Sequence, residues 1–514
     1  MTKLKYQSLI DRMSLEEKIA FCSGADFWTT KVFEKYGIPS IRFGDGPHGI
    51  RKQISAGANE PGQGKSIPST CFPNSSAAAC SWDTELLYEM GKAIGEEALH
   101  EGISVVLGPG VNIKRNPLCG RNFEYYSEDP LLAGKLAEFW INGVQSNGVG
   151  VSLKHFAVNN QENSRMQNDS IIDERTLREI YLPAFENAVK NAQPTTVMCA
   201  YNSINGTFCS DNQFLLRKIL RDEWGFAGVI MTDWGAMNDR VQAFKAGLDL
   251  EMPGGANYFN HTVREAVCNG TPSETTINES VDRLLTLVFE TSEKCKPNFH
   301  YDVDNHHQLA RRIAAESAVL LKNEGDILPL NSTQRIAVIG MLAQEAKFQG
   351  AGSSFINPTQ ISNVLDGLNL YQAQYDFFPG YPIKGKIDED LITAAVDSAR
   401  THDIALVCVG LPDEYESEGF DRENLNLPAS HNELIRRVAQ VNPNVVVLLF
   451  IGSPVTLPWL ASVKAVLNMY LPGQAGGLAA ADLLFGKTCP CGKLAESYPL
   501  RYEDVPSAGF YETG

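Results

Sequence analysis

The chain has 514 residues, 43% of them hydrophobic and 20% charged, and a formal net charge of −17. That length exceeds one ordinary core and favours several domains, while the composition is that of a globular protein. The acidic balance repels phosphate backbones and anionic lipid heads, which argues against nucleic acid or a membrane surface as partner and leaves a neutral or cationic small molecule.

The start, MTKLKYQSLIDRMSLEEKIAFCSG, reads as an amphipathic helix with Ser14 and Glu17 as a capping box. It shows no signal-peptide pattern, and the longest apolar run, NVVVLLFIG at 444–452, is too short to span a membrane, so a cytoplasmic location is expected. Short buried strands are predicted at SIRFGDG, GISVVLGPG, VGVSLKHF, TTVMCAYN, GVIMTDW and GLDLEMPG, with helical patterns between them such as TLREIYLPAFENAVKNA. Strand-helix alternation in which the strands end on polar or glycine-containing sequence predicts a TIM-like (β/α)8 barrel over 1–299. At KPNFHYDVDN, 296–305, the periodicity stops and a proline intervenes, which marks a linker. A connecting helix is predicted through HQLARRIAAESAVLLKNEG, giving a linker and helix over 300–330. A second alternating set follows, IAVIG, DIALVCVG, VVVLLFIG and AVLNMYLPG with helices DLITAAVDSAR and HNELIRRVAQ, and predicts an α/β sandwich over 331–514.

Several residues carry no special expectation. Eleven cysteines are an odd number for a disulfide framework, and many, such as Cys199 and Cys408, sit in apolar runs, so buried thiols are expected. The pair Cys489 and Cys491 lacks a second pair or a nearby histidine, so no metal site is expected. His306 and His307 adjoin the linker and are expected to be solvated. The GAGSS stretch at 350–354 has neither the lysine nor the glycine pattern of a phosphate cradle, so no cofactor is expected.

The chemistry concentrates on carboxylates. Asp233 closes the apolar run GVIMTDW, a position that suits either a catalytic acid at a barrel mouth or a helix N-cap. Glu418 lies in the glycine-containing loop ESEGFDR, either a second working carboxylate or part of a solvated acidic loop beside Asp413, Glu414, Glu416, Asp421 and Glu423. Asp45, Lys154, His155 and Tyr201 also end predicted strands. Converging so many polar groups at one barrel face is costly unless they bind something.

The runs GDGPHGIR, GRNFEYYSEDP, KHFAVNNQENSR, MCAYNSINGTF, MTDWGAMND and ESEGFDRENLNLP, in this order along nearly the whole chain, resemble glycoside hydrolase family 3 and its bacterial β-glucosidase-like members. The resemblance implies Asp233 as nucleophile and Glu418 as acid/base. It implies sugar ligands at Asp45, Arg51, Arg121, Lys154, His155, Arg165, Tyr201 and Trp234, with a serine of GAGSS, Ser353 ahead of Ser354, approaching from the second domain. Such members continue past sequence like GKLAESYPL into a fibronectin type III-like domain, which is not recognisable before this chain ends at Gly514. Cationic neighbours are expected to keep Asp233 ionised, and neighbouring acids to keep Glu418 protonated. The expected activity is retaining hydrolysis of terminal β-D-glucosyl residues from small β-glucosides or short oligosaccharides. Trp234 after the nucleophile favours glucose over the β-xylosidase alternative. A sugar-binding chain without turnover is the non-enzymatic alternative.

Overall fold

A strand covered on both faces is satisfied by a continuous apolar run, and the barrel strands are of this kind. In the computed structural model, which describes residues 4–54, 65–254, 259–294, 296, 298–383 and 387–511, five parallel strands run in the spatial order Phe43–Asp45, Val105–Leu107, Gly150–Phe156, Thr196–Cys199, Val229–Thr232, all fully buried. Beyond them GLDLEMPG does not make a full strand: Leu250 bridges Met231 and Glu251 bridges Ser23. The N-terminal segment then completes the circle, because Thr29 pairs antiparallel with Arg42 and the Phe43 amide donates to the Trp28 carbonyl at 2.9 Å. The barrel is TIM-like, with an irregular, partly antiparallel closure.

Outside it, the helices Thr84–His100, Pro130–Gln145 and Pro183–Ala192 pack in succession. Asp83 and Asp129 cap the first two by accepting from amides of their opening turns. Gly91 and Gly143 let those two helices touch backbone to backbone, since a β-carbon at either would collide with a carbonyl of the other helix. The predicted capping box is present: the Glu17 amide donates to Ser14 Oγ and the Ser14 amide to Glu17 Oε2, opening the helix Leu15–Phe21. The long helix predicted over TLREIYLPAFENAVKNA is interrupted by a π-turn at Leu177–Tyr181 just before Pro183, as a proline without an N–H dictates.

The second domain begins earlier than predicted. The helix Val303–Ser317 stops where Ala318 turns extended, and Val319–Asn323 forms a strand inside the stretch read as linker and connecting helix. Leu320 and its neighbours find a partner in Ala465–Asn468, so tertiary pairing overrides a pattern that locally continues a helix. The resulting sheet runs Val319–Asn323, Ala465–Asn468, Val445–Phe450, Ile404–Gly410, Arg335–Ile339, Gln374–Phe378, parallel except at its first pair. Residues after 487 return to the barrel, where Lys493 donates to the Cys80 carbonyl and Glu496 pairs with Lys114 at 2.9 Å. Among the described residues no helix is long and apolar enough to cross a membrane. Cys22, Cys71, Cys80, Cys119, Cys199, Cys209 and Cys408 are buried, whereas Cys268, Cys489 and Cys491 are exposed; Pro297 and Cys295, at the linker, lie outside the described residues.

His306 and His307 are not solvated. Both are buried where the connecting helix meets the barrel and the sandwich. His306 sits between Glu97, at 2.8 Å from Nδ1, and Glu96, at 3.2 Å from Nε2. The Gln474 side-chain amide donates to His307 Nδ1 at 3.0 Å. Burial alone would lower the His306 pKa, but the two carboxylates outweigh it and raise it above the ordinary histidine value. A raised value in the folded state means that the pair's contribution is fully present below the unfolded pKa and is lost as pH rises through the folded one. His306→Gln should therefore lower the thermal midpoint by roughly 2–4 °C at pH 6, as about 1 kcal/mol does in a domain of this size. The difference from wild type should shrink by pH 9. Equal differences at both pH values would mean that the imidazole is uncharged in the fold.

Candidate active site

The carboxyl ends of the barrel strands supply the first group of side chains. Asp45 ends the strand Phe43–Asp45 and is followed by Arg51, whose amide donates to the Asp45 carbonyl at 2.9 Å. In Gly150–Phe156 the pairing with Thr196–Cys199 slips between Leu153 and Phe156. Neighbouring residues of a regular strand point to opposite faces, and this irregularity lets both Lys154 and His155 line the barrel mouth. The carboxamide of Asn112 holds the His155 backbone from both sides, at 2.8 and 2.9 Å. Tyr201 donates to the Trp234 carbonyl at 3.0 Å, and the Arg165 guanidinium lies 4.7 Å over the Tyr201 ring.

Asp233 is not a helix cap. The following helix, Arg240–Ala246, is capped by Asp239, and the Asp233 carboxylate is left to the cavity. Its Oδ1 accepts from the Trp234 amide at 2.7 Å. Its Oδ2 is buried, has no hydrogen-bond partner among the described residues, and lies 3.6 Å from His155 Nε2. Asn159 donates to the Tyr125 hydroxyl, which lies 3.2 Å from His155 Nδ1, so a chain of contacts holds the imidazole from the nitrogen opposite the one nearest Asp233. Trp234 Nε1 donates to the Phe27 carbonyl at 2.8 Å, and its ring packs against Phe27, Trp28 and Phe43, forming an apolar wall.

Glu418 reaches this mouth from the sandwich. The acids of its loop diverge: Asp413, Glu414 and Glu423 face solvent, Glu416 is buried against the Gly452 amide and the Ser453 hydroxyl, and Asp421 turns to the barrel. The Asp421 carboxylate accepts from the amides of Gly120 at 2.9 Å, Glu162 at 3.0 Å and Asn163 at 3.0 Å. Between these two anchors, Glu418 Oε1 lies 2.8 Å from Arg165 and 3.6 Å from Arg121, while Oε2 accepts from the Ser353 amide at 2.7 Å. Asp233 and Glu418 line one cavity of about 1250 Å³, large enough for a short oligosaccharide.

The electrostatics reverse the expectation drawn from sequence. Burial raises the Asp233 carboxyl above the ordinary value despite Arg121, Lys154 and Arg165, so desolvation outweighs the cations expected to lower it. Burial likewise pushes Glu418 up, but Arg121, Arg165 and Ser353 outweigh it and hold the carboxyl well below the usual range; the acids next to it in sequence do not face it. Asp45 is raised to about 6 by burial, against the pull of Lys154 and Arg51. His155 is held well below the ordinary histidine value by burial and by Arg121, Lys154 and Arg165, so it is neutral and its contact with Asp233 is not an ion pair.

All eleven side chains singled out in the sequence, Asp45, Arg51, Arg121, Lys154, His155, Arg165, Tyr201, Asp233, Trp234, Ser353 and Glu418, line this cavity. Ser354 does not; it is wholly buried behind it. Sequence reasoning did not single out Phe27 and Trp28, whose signal was the aromatic pair in SGADFW, nor Phe355 and Asn357, which carry no chemical signature of their own. Among the described residues no group of three or more His, Cys, Asp or Glu side chains is arranged to hold a metal ion.

Comparison with known proteins follows the same division. The Glycosyl hydrolase family 3 N terminal domain matches residues 42–287, and the Glycosyl hydrolase family 3 C-terminal domain matches residues 318–514. The chain is 51% identical to thermostable beta-glucosidase B of Acetivibrio thermocellus, over 98% of this chain and 67% of that protein. It is 46% identical to an exo-alpha-(1->6)-L-arabinopyranosidase of Bifidobacterium longum, over 99% of this chain and 68% of that one. The crystal structure of a GH3 beta-glucosidase from Bifidobacterium adolescentis superposes with a TM-score of 0.92 at 45% identity, covering 97% of this chain and 72% of the other.

Gly120 shows how closely the Glu418 loop is seated. A β-carbon there would collide with the carbonyl oxygens of Phe420 and Ser417, which are backbone atoms that cannot rotate away. Gly120→Ala should lift the loop from the barrel and lower kcat on alkyl β-glucosides by on the order of 10²-fold, the cost of about 1 Å of misplacement. The far-ultraviolet circular dichroism should stay that of wild type. Full activity in this variant would show that the seating of the loop does not matter.

Proposed function

The chain belongs to glycoside hydrolase family 3, and on that premise we propose that it is a retaining β-glucosidase whose two working carboxylates come from different domains. The observation that carries this reading is Asp233: one oxygen is fixed by the Trp234 amide, the other is buried and unbonded among the described residues, and the residue lines the cavity that Glu418 shares. A carboxylate oriented by one oxygen and free at the other is arranged to attack an anomeric carbon. Asp233 forms the glycosyl ester while Glu418 protonates the leaving oxygen; Glu418 then takes a proton from water as that water attacks the ester and releases glucose.

Before substrate binds, the proton preference is the wrong way round, with Asp233 raised and Glu418 lowered. A bound glycoside excludes water and competes for the Arg165 and Arg121 guanidinium groups through its hydroxyls. Loss of that pairing raises Glu418 and so favours the protonated form that must donate. Asp45, Arg51, Lys154, His155, Tyr201 and Trp234 are assigned to the glucosyl ring, and Ser353 to holding Glu418.

A second activity is favoured by the 46% identical relative named for arabinopyranoside cleavage. Aryl β-glucoside, β-xyloside and α-L-arabinopyranoside compared at equal leaving group should rank the β-glucoside first by kcat/KM.

Asp233→Asn should keep the fold and lose about 10⁴-fold or more in kcat. Wild type inactivated by a 2-deoxy-2-fluoroglucosyl donor should carry the label on Asp233. Label on another carboxylate would overturn the assignment.

Glu418→Ala should separate substrates by their need for a proton. Alkyl glucosides should lose roughly 10²- to 10⁴-fold in kcat/KM, the usual worth of a general acid, and dinitrophenyl glucoside far less. Azide, which needs no base, should restore turnover of the activated substrate as β-glucosyl azide. Equal losses on both substrates would remove Glu418 from the role.

A further inference from the structure

One buried carboxylate of the barrel lies behind Glu418 and takes no part in the reaction described above. Glu162, in the segment after the strand Gly150–Phe156, is 1% exposed. Its Oε2 accepts from Arg165 Nη1 at 2.7 Å and from the Gly419 amide, the peptide immediately after Glu418, at 2.9 Å. The same Arg165 reaches Glu418 Oε1 through Nη2 at 2.8 Å. One oxygen atom therefore holds both the guanidinium that faces Glu418 and the backbone that carries it. The exchange is reciprocal, because the Glu162 amide is itself held by Asp421 of the same loop. Glu162 Oε1 is buried with no hydrogen-bond partner among the described residues, so all of the hydrogen bonds that this carboxylate is seen to make converge on Oε2.

We infer that Glu162 is a positioning residue for the acid/base step: it fixes the height of the Gly419 peptide and takes a share of the Arg165 charge that would otherwise fall wholly on Glu418. The inference rests on the reading of Glu418 as acid/base. Without Glu162, the Gly419 amide loses its acceptor and Arg165 is free to pair fully with Glu418, which disfavours the protonated acid that the leaving group needs. Burial raises the Glu162 carboxyl to about 7 against Arg121 and Arg165, and Glu418 adds to the rise, so the two carboxylates sense each other.

The test compares kcat/KM for an alkyl β-glucoside, which needs the proton, with kcat/KM for dinitrophenyl β-glucoside, which does not. Glu162→Ala should lose at least tenfold more on the alkyl substrate than on the activated one, and Glu162→Gln, which keeps the shape and an acceptor but not the charge, should show the same selective loss to a smaller extent. If the alanine variant does not fold, the glutamine variant decides by the same ratio. A residue that only supports the fold would lower both substrates equally, and that result would overturn the inference. Glu418→Ala run on the same pair separates the two ideas. Selective loss in Glu418→Ala with uniform loss in the Glu162 variants rejects the positioning role alone, whereas no selectivity in Glu418→Ala rejects the acid/base reading and this inference with it.

Discussion

The carboxylate of Asp421 joins the two domains at the point where chemistry requires them to meet. It belongs to the sandwich, yet it accepts from three barrel amides, Gly120, Glu162 and Asn163. Ionised acceptors on backbone N–H groups make strong, directional bonds, and here they are sheltered from water. At the other end of the same short loop Glu416 is bound into its own domain through Gly452 and Ser453. Glu418 lies between one anchor to the sandwich and one to the barrel, which is why a side chain on a loop can be held over a barrel mouth with the accuracy that proton transfer demands.

The price of this arrangement is a dense set of buried charges. Asp45, Glu124, Glu162 and Asp233 share the region with Arg51, Arg121, Lys154 and Arg165, each at most modestly exposed. Such groups are retained only where each finds a counter-charge or a ligand. The strongest pairings are made: Arg121 to Glu124 at 2.6 Å, and Arg165 to both Glu162 and Glu418. Among the described residues Asp233 Oδ2, Glu124 Oε1 and Glu162 Oε1 remain without a hydrogen-bond partner, and Asp233 is one of the residues lining the cavity assigned to the sugar. Perturbed carboxyl groups gathered in one cavity mark a working site more reliably than any one of them alone.

Much of this was legible in the sequence because its signals are local. An apolar run ending on Asp233, or on Lys154 and His155, declares both a buried strand and the face on which its last residue emerges. The barrel closure was not legible, since single bridges at Ser23, Thr29, Leu250 and Glu251 leave no periodicity to read. Nor was the strand Val319–Asn323, whose conformation is decided by Ala465–Asn468 far along the chain. The surroundings of Glu418 misled for the same reason: adjacent acids in sequence diverge in space, and the cations that govern it, Arg121 and Arg165, lie in the other domain. His306 was misplaced because a linker position says nothing of Glu96 and Glu97, which wait on a barrel helix.

The central claim is that Asp233 and Glu418, brought from separate domains, stand close enough to work by double displacement rather than with a water between them. For such a pair the carboxyl groups should be roughly 5 to 5.5 Å apart, against about 6.5 to 9.5 Å for an inverting one. Proton NMR of the first sugar released from an aryl β-glucoside, followed before mutarotation, reports which geometry operates. β-Glucose appearing first, with the α-anomer growing in later, is the outcome expected from this site; α-glucose appearing first would contradict it.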